Sequence, residues 1–280
     1  MKNHFYAVKC ITNLHMGSGD TNFSIIDNEV QKDQITNYPI MHSSGVKGAL
    51  RDYFKSLDKD SPHIGGIFGS DRLQSQKNNR EKTRPGMLKF ISAQMLCMPV
   101  RSADSNMAYY LATSIELLKG FGDMYFAITG KEPVQGFRNS IHALKEDRAY
   151  YRLRTGIKVE DKEYATDSYG ANSPIISLIK KFYPDEYDSS KLLILPHSCL
   201  SGIQLPIIAR NQLDNGISKN LWFEEVVPHG SVFFLGVLSD GTVSGDNELE
   251  FFHNQVKGKL IQFGGNASVG YGLTQIIAIS

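Results

Sequence analysis

Residues 15–51 read HMGSGDTNFSIIDNEVQKDQITNYPIMHSSGVKGALR, so one connection holds a glycine loop, an isolated aspartate and a helix start. This stretch constrains the chain more than any other. It follows FYAVKCITNL, in which Tyr6, Val8 and Cys10 alternate with Phe5, Ala7, Lys9 and Ile11, the pattern of an opening strand with two distinct faces. At its far end Ser43–Arg51 predicts a serine-capped helix, with Val46, Leu50, Tyr53 and Leu57 turned to a core. Lys47, Arg51 and Lys55 fall four apart on another face. Positive side chains beside free N-terminal amides attract anions, phosphate first among them. The same charges also fit an ordinary solvated helix face, and HMGSG also fits a plain turn.

At 280 residues and 41% hydrophobic content, the chain buries a sizeable core as one large domain or two modest ones. No apolar run reaches the length of a membrane span, and MKNHFYAVK lacks a signal-peptide pattern, so a soluble, cytoplasmic protein without a membrane partner is expected. Cys10, Cys97 and Cys199 are widely spaced among apolar residues, which suits reduced core thiols rather than a disulfide frame or a zinc site. The net charge of +1 argues mildly against a nucleic-acid binder. Its distribution argues the other way. Arg72, Lys77, Arg80, Lys82, Arg84 and Lys89 face the single acid Glu81, an electrostatic footprint or a solvated loop.

Further along, GMLKFISAQMLCMPVRS predicts a strand ended by Pro99, and Thr113–Thr129 a helix with Ser114 as its cap. Residues 130–190 have poor periodicity, which marks an inserted functional element. Within it AYYRLRTGIK groups Tyr150, Tyr151, Arg152, Arg154 and Lys158, a set suited to stacking on bases and touching phosphates, or to a plain hairpin. The last hundred residues return to short apolar runs split by Pro and Gly, then a helix from Asn247 to about Lys259, then a glycine loop and a final strand. Two rounds of strand, helix and strand with hairpins between them predict an α+β fold of ferredoxin-like or RRM-like type.

His15, Asp27, Glu224 and Glu225 are the candidate catalytic side chains. None belongs to a zincin, Walker or nucleophile-elbow motif. A histidine ending a strand serves catalysis or hydrogen bonding. Asp27 stands in a loop where its carboxylate faces a ligand or closes an Asx turn. Glu224 and Glu225 alternate sides in a strand, so at most one points into a site.

Several strings run in order from Leu14 to Gly272: LHMGSG with Asp27 downstream, YPIMHSSGVKGALRDYF, IFGS at Ile67–Ser70, MPVRS at Met98–Ser102, ARNQLD followed by LWFEEVVP, and GGNASVGYG. In that order the chain resembles the repeated backbone subunit of the Cmr complex, the type III-B CRISPR-Cas effector, a member of the RAMP superfamily. The resemblance implies a single RAMP domain over residues 1–280, with an RRM-like palm, finger-like and thumb-like insertions, an inserted basic loop at about 71–86 and a thumb β-hairpin within about 130–190. It implies a helical filament of copies of the chain, assembled with other Cmr subunits along a CRISPR RNA. Such a filament cleaves guide-complementary single-stranded target RNA at regular intervals, in antiviral defence.

On the same resemblance, Ser44, Lys47 and Arg51 grip the guide backbone, and Gly264, Gly265, Gly270, Tyr271 and Gly272 form a second backbone contact. Arg152 and Arg154 meet RNA from the thumb segment. Asp27 matches the cleavage aspartate and holds a divalent metal ion, Mg or Mn, while His15 and one of Glu224 or Glu225 match accessory positions. There are departures. His42, Ser43 and Gly45 stand where relatives usually have Pro, Gly and Ser; Ala267 and Tyr271 replace a polar residue and a Lys; and Asn28-Glu29 follows Asp27 in place of an apolar residue and Pro. Two rivals stay open: an inactive RNA-binding scaffold, and an endoribonuclease processing precursor CRISPR RNA with His15 as its base.

Overall fold

The computed structural model describes residues 1–19, 25–70, 84–104, 107–170, 172–183 and 191–279. Strand β1 (Asn3–Cys10) sends Tyr6, Val8 and Cys10 into one hydrophobic cluster and Phe5 and Ala7 into another. A strand buried on both faces needs no polar alternation, which explains its continuous apolar run. After it come β2 (Ile40–Met41), α1 (Ser43–Leu57), α2 (Pro62–Phe68), β3 (Leu88–Phe90) and β4 (Ala93–Arg101). Then follow β5 (Tyr109–Ser114), α3 (Ile115–Thr129), α4 (Phe137–His142), β6 (Ala149–Tyr151), β7 (Gly156–Val159) and β8 (Lys162–Ser168). Next are α5 (Pro174–Phe182), β9 (Leu192–Leu195), α6 (His197–Leu200), β10 (Ile207–Asp214) and β11 (Ile217–Glu225). The chain closes with β12 (Val232–Ser239), α7 (Val243–Val256), β13 (Leu260–Gln262) and β14 (Leu273–Ile279).

The main sheet runs β13-β14-β1-β12-β4-β5-β9-β6-β8-β7, with β2 on β4 and β3 on β12. Its centre, β14-β1-β12-β4, is antiparallel throughout. With α1 after β1 and α7 after β12, this is the strand order of a ferredoxin-like βαββαβ palm, as the periodicity predicts. Val46, Leu50 and Phe54 of α1 and Leu249, Phe252 and Val256 of α7 cover one face. Phe121 of α3 and Phe182 of α5 cover the other.

The structure corrects four details. Helix α1 is capped at His42 without a side-chain bond, and the Ser43 amide instead donates to Ser92 Oγ at 3.1 Å. Its buried stripe is Val46, Leu50 and Phe54, while Leu57 is exposed. Pro99 does not end β4, because the β12 ladder on β4 reaches only Cys97 and leaves the far side of Pro99 without a partner strand. Helix α7 begins at Val243, four residues before Asn247, with the Thr242 side chain accepting the Gly245 amide at 2.9 Å. Ser114, by contrast, caps α3 as expected, accepting from the Leu117 amide at 3.2 Å. The basic residues 72–82 lie outside the described residues. Among the described residues, no helix is long and apolar enough to cross a membrane.

Residues 130–190 hold α4, α5 and the β7–β8 hairpin, but that hairpin is docked: β8 pairs with β6, and Val159 bridges Ser102. Among the described residues, the hairpin outside the main sheet is β10–β11, a separate two-stranded sheet. Its turn is Asn215-Gly216, with φ of 51° and 80°, the left-handed pair of a two-residue hairpin loop.

Helix α7 also carries an acid-sensitive contact. His253 stacks on His4 at 4.1 Å, and its Nδ1 lies 3.1 Å from the Tyr6 hydroxyl. Burial, then the His4 and Lys257 charges, push its pKa below the ordinary histidine value. The unfolded chain therefore binds this proton more readily, and stability falls as pH drops below about 6.5. Between pH 7 and 5, His253→Gln is expected to lose less stability than wild type, read as urea midpoints compared across that range.

Candidate functional site

The C-terminal end of β11 gathers the conspicuous residues. The Asp27 amide donates to the Phe223 carbonyl at 3.1 Å, and the Phe223 amide donates to Asp27 Oδ2 at 2.8 Å. Asp27 is itself exposed. One carboxylate oxygen thus adds to the backbone bonds that hold the loop to the sheet edge, while the group stays in solvent. The Glu225 amide donates to the Asn28 carbonyl at 2.9 Å, and Asn28 bridges Glu224 in parallel, so the register of this loop is set by three successive residues of β11.

His15 is buried, and its Nδ1 lies 2.8 Å from the Glu225 carbonyl oxygen. Because a carbonyl only accepts, Nδ1 is the donor in this bond and Nε2 is left to face other partners. Glu225 is buried too: its Oε2 accepts from the Val30 amide at 3.1 Å and its Oε1 from Lys32 Nζ at 2.8 Å. Glu224 points the other way, toward Arg210, Trp222 and Asn266. The two glutamates therefore serve opposite sides of β11, as strand alternation requires.

The glycine loop docks on the same place. The Gly265 amide donates to the His15 carbonyl at 2.9 Å, and the Gly272 amide donates to the Asn13 carbonyl at 2.7 Å. Gly264 and Gly272 have φ of 74° and 76°, and a Cβ would collide with the His15 carbonyl at the first and the Phe263 carbonyl at the second. Close backbone approach thus demands glycine at both. Gly270, Tyr271 and Asn266 complete the loop, with the Arg210 guanidinium 4.9 Å from the Tyr271 ring centre.

The start of α1 has no acidic residue in its first turn, so its amide pole is uncompensated. Ser44 is exposed and Lys47 half-buried. Burial, with the Arg51 charge second, lowers the Lys47 pKa. Arg51 has a structural occupation: its Nη2 donates to the carbonyls of Phe68 and Gly69 at 2.8 and 2.7 Å, closing the end of α2. Arg51→Ala is expected to cost about 1–3 kcal/mol, read as a lower urea midpoint, because two helix-end carbonyls lose a charged donor.

Arg152 and Arg154 are not brought to this place. Both are exposed at the turn between β6 and β7, toward the opposite end of the sheet from β14, and Arg154 lies 3.3 Å from Asp167. Sequence reasoning missed Lys32 and Asn266, whose partners are distant in the chain, and Arg210 and Trp222, which meet Glu224 within the hairpin. It also missed the projecting hairpin, although Asn215-Gly216 between two strand-like runs is a strong hairpin signal. Among the described residues, no group of three or more His, Cys, Asp or Glu is placed to hold a metal ion. The exposed Asp27 carboxylate is a hard oxygen donor, the type that a hydrated divalent cation takes.

The ferredoxin-like palm places the chain in the RRM-like fold class, which RNA-binding modules share with other proteins. The RAMP superfamily model matches residues 7–275, and the chain belongs to that superfamily. The CRISPR system Cmr endoribonuclease Cmr4 of Pyrococcus furiosus is 26% identical over 99% of this chain and 95% of its own length. The CRISPR system CMR subunit Cmr4 of Saccharolobus solfataricus is 22% identical over 97% of this chain and 94% of its own. In fold, the chain is similar to one in the type III-B Cmr-beta complex bound to cognate target RNA, with a TM-score of 0.81 at 19% identity, covering 100% of this chain and 98% of that one. It is likewise similar to oligomeric Cmr4 from Pyrococcus furiosus, with a TM-score of 0.70 at 18% identity, over 100% of this chain and 98% of that one.

Proposed function

We propose that this chain is a CRISPR RNA-binding backbone subunit of a type III-B effector, and that Asp27 cuts the guide-matched single-stranded target RNA. The observation that carries the reading is the convergence on Phe223–Glu225: the loop bearing Asp27, His15 and the glycine loop are held to three successive residues. One of the relatives that match nearly the whole chain bears the name of a Cmr endoribonuclease. In this reading Asp27 accepts the proton of a target 2′-hydroxyl. The 2′-oxygen attacks the adjacent phosphorus in line, and the bond to the 5′-oxygen breaks. The products are a 2′,3′-cyclic phosphate and a 5′-hydroxyl, whose oxygen takes its proton from water. Asp27 is the residue that would hold a hydrated divalent ion, whose chemistry would be to neutralise charge on the phosphate.

Ser44, Lys47 and the glycine loop bind the guide backbone, with Arg51 holding the end of α2 behind them. The projecting β10–β11 hairpin takes the thumb role, in place of the 130–190 segment, and displaces one target nucleotide per subunit. Arg152 and Arg154 then serve RNA or neighbouring subunits at the far end of the sheet. Copies of the chain, together with other Cmr subunits, make the filament in the cytoplasm.

The test is an end-labelled, guide-matched RNA given to the assembled complex with Mg²⁺ or Mn²⁺. Evenly spaced cuts support the reading; target bound and left whole assigns a scaffold instead. Lys47→Ala is expected to weaken guide binding and flatten the log–log salt slope by about 0.7, the share of one single-strand phosphate. Filter binding from low to moderate salt checks it.

A further inference from the structure

Glu224 is 4% exposed, yet its carboxylate accepts three donors from three separate places. Oε2 takes Arg210 Nε from β10 at 3.1 Å and Asn266 Nδ2 from the glycine loop at 3.1 Å, and Oε1 takes Trp222 Nε1 from β11 at 2.9 Å. A buried carboxylate with three bonds to side-chain N–H groups is satisfied by the protein itself. Arg210 doubles the link, since its guanidinium also lies over the Tyr271 ring at 4.9 Å. One residue earlier in β11, the Phe223 backbone holds the loop of Asp27.

The geometry points to Glu224 as a positioning residue, not a catalytic one: it latches the glycine loop of residues 264–272 to the base of the β10–β11 hairpin. This rests on the reading that the glycine loop binds the guide backbone. Through the latch, a loop that holds guide phosphate and a hairpin that works on the target strand keep one fixed relation beside Asp27. The left-handed conformation of Asn266, at φ 61°, aims its amide nitrogen at Glu224. Tyr271 of the closing loop stacks under Arg210 and so adds a second contact between loop and hairpin.

The chain has a single tryptophan, Trp222, so its emission reports on the latch directly. Three variants of the full chain decide the matter: Glu224→Gln, Asn266→Asp, and the two together. Each single change leaves like groups facing across the 266–224 contact, and the double change transposes amide and carboxylate. Expected in the isolated subunit is a shift of Trp222 emission in Glu224→Gln. With it comes amide exchange faster by about ten-fold at both 264–272 and the hairpin base in each single variant, and at least partial recovery in the double. In the assembled complex, guide retention is expected to fall about ten-fold in each single variant and to recover at least in part in the double.

Cutting reduced about 100-fold at unchanged guide retention would make Glu224 catalytic and overturn the proposal. Exchange that rises in the hairpin alone, or a double variant no better than the singles, would break the latch. Should the wild-type complex retain no guide at all, the RNA reading fails on its own, and the exchange and rescue still decide whether the latch exists.

Discussion

Asp27→Ala is expected to lower target cutting by at least about 100-fold while leaving guide and target binding intact, because a positioned general base contributes about that much. The structural cost should be small. Asp27 is exposed, so the Phe223 amide that loses its acceptor passes to water instead of becoming a buried orphan. Asp27→Asn sharpens the point. Its side-chain oxygen still accepts the Phe223 amide and keeps the loop on the edge of β11, but it has no charge and does not accept the 2′-hydroxyl proton. Equal loss in both variants, with unfolding midpoints near wild type, places the effect in the chemistry. Cutting retained by Asp27→Asn would assign Asp27 to anchoring alone and move the search for the base elsewhere.

The palm was legible because its signals are local and agree with one another. The two faces of β1 separate into two clusters as the alternation of Tyr6, Val8 and Cys10 with Phe5 and Ala7 requires. Ser114 caps α3, and the stripe Leu249, Phe252 and Val256 buries α7. What the sequence hid depends on partners far along the chain. Ser43 looks like a cap until Ser92 takes its amide, and Arg51 looks like a phosphate ligand until Phe68 and Gly69 offer it carbonyls. The site shows the same division. His15, Asp27 and the closing glycines stand out as residue types, whereas the bonds that bring them together cross about two hundred residues, as in His15 to Glu225. Irregular composition over residues 130–190 suggested a projecting hairpin there, and the hairpin that segment holds, β7–β8, is docked on β6. Irregular segments often fold against a sheet edge, as β6–β8 do here, while a short Asn-Gly turn between alternating strands specifies a hairpin by itself.

Shortening that hairpin is expected to separate binding from cutting more sharply than any change outside Asp27. Asn211 pairs with Leu221, so replacing residues 212–220 with Asn-Gly closes a two-residue turn at that pair. Arg210, Trp222 and Glu224 keep their bonds, and Phe223 keeps the Asp27 loop. The removed tip carries Leu213 and Ile217 at 62% and 67% exposure, so stability should change by less than about 1 kcal/mol. Among the described residues those apolar side chains stay largely exposed, and a displaced nucleotide or a neighbouring copy is what would cover them. Without the tip, the target stays paired along the guide, and the in-line geometry of each scissile phosphate is lost. Cutting should fall by at least about 100-fold, the scale on which misplacing reacting groups acts, while matched target is still retained. The control is the β7–β8 turn, where Glu160 pairs with Arg101 at 2.7 Å: replacing Glu160-Asp161 with Asn-Gly there should leave regular cutting near wild type. If that control abolishes the cuts and the shortened β10–β11 hairpin does not, the thumb lies within 130–190 after all.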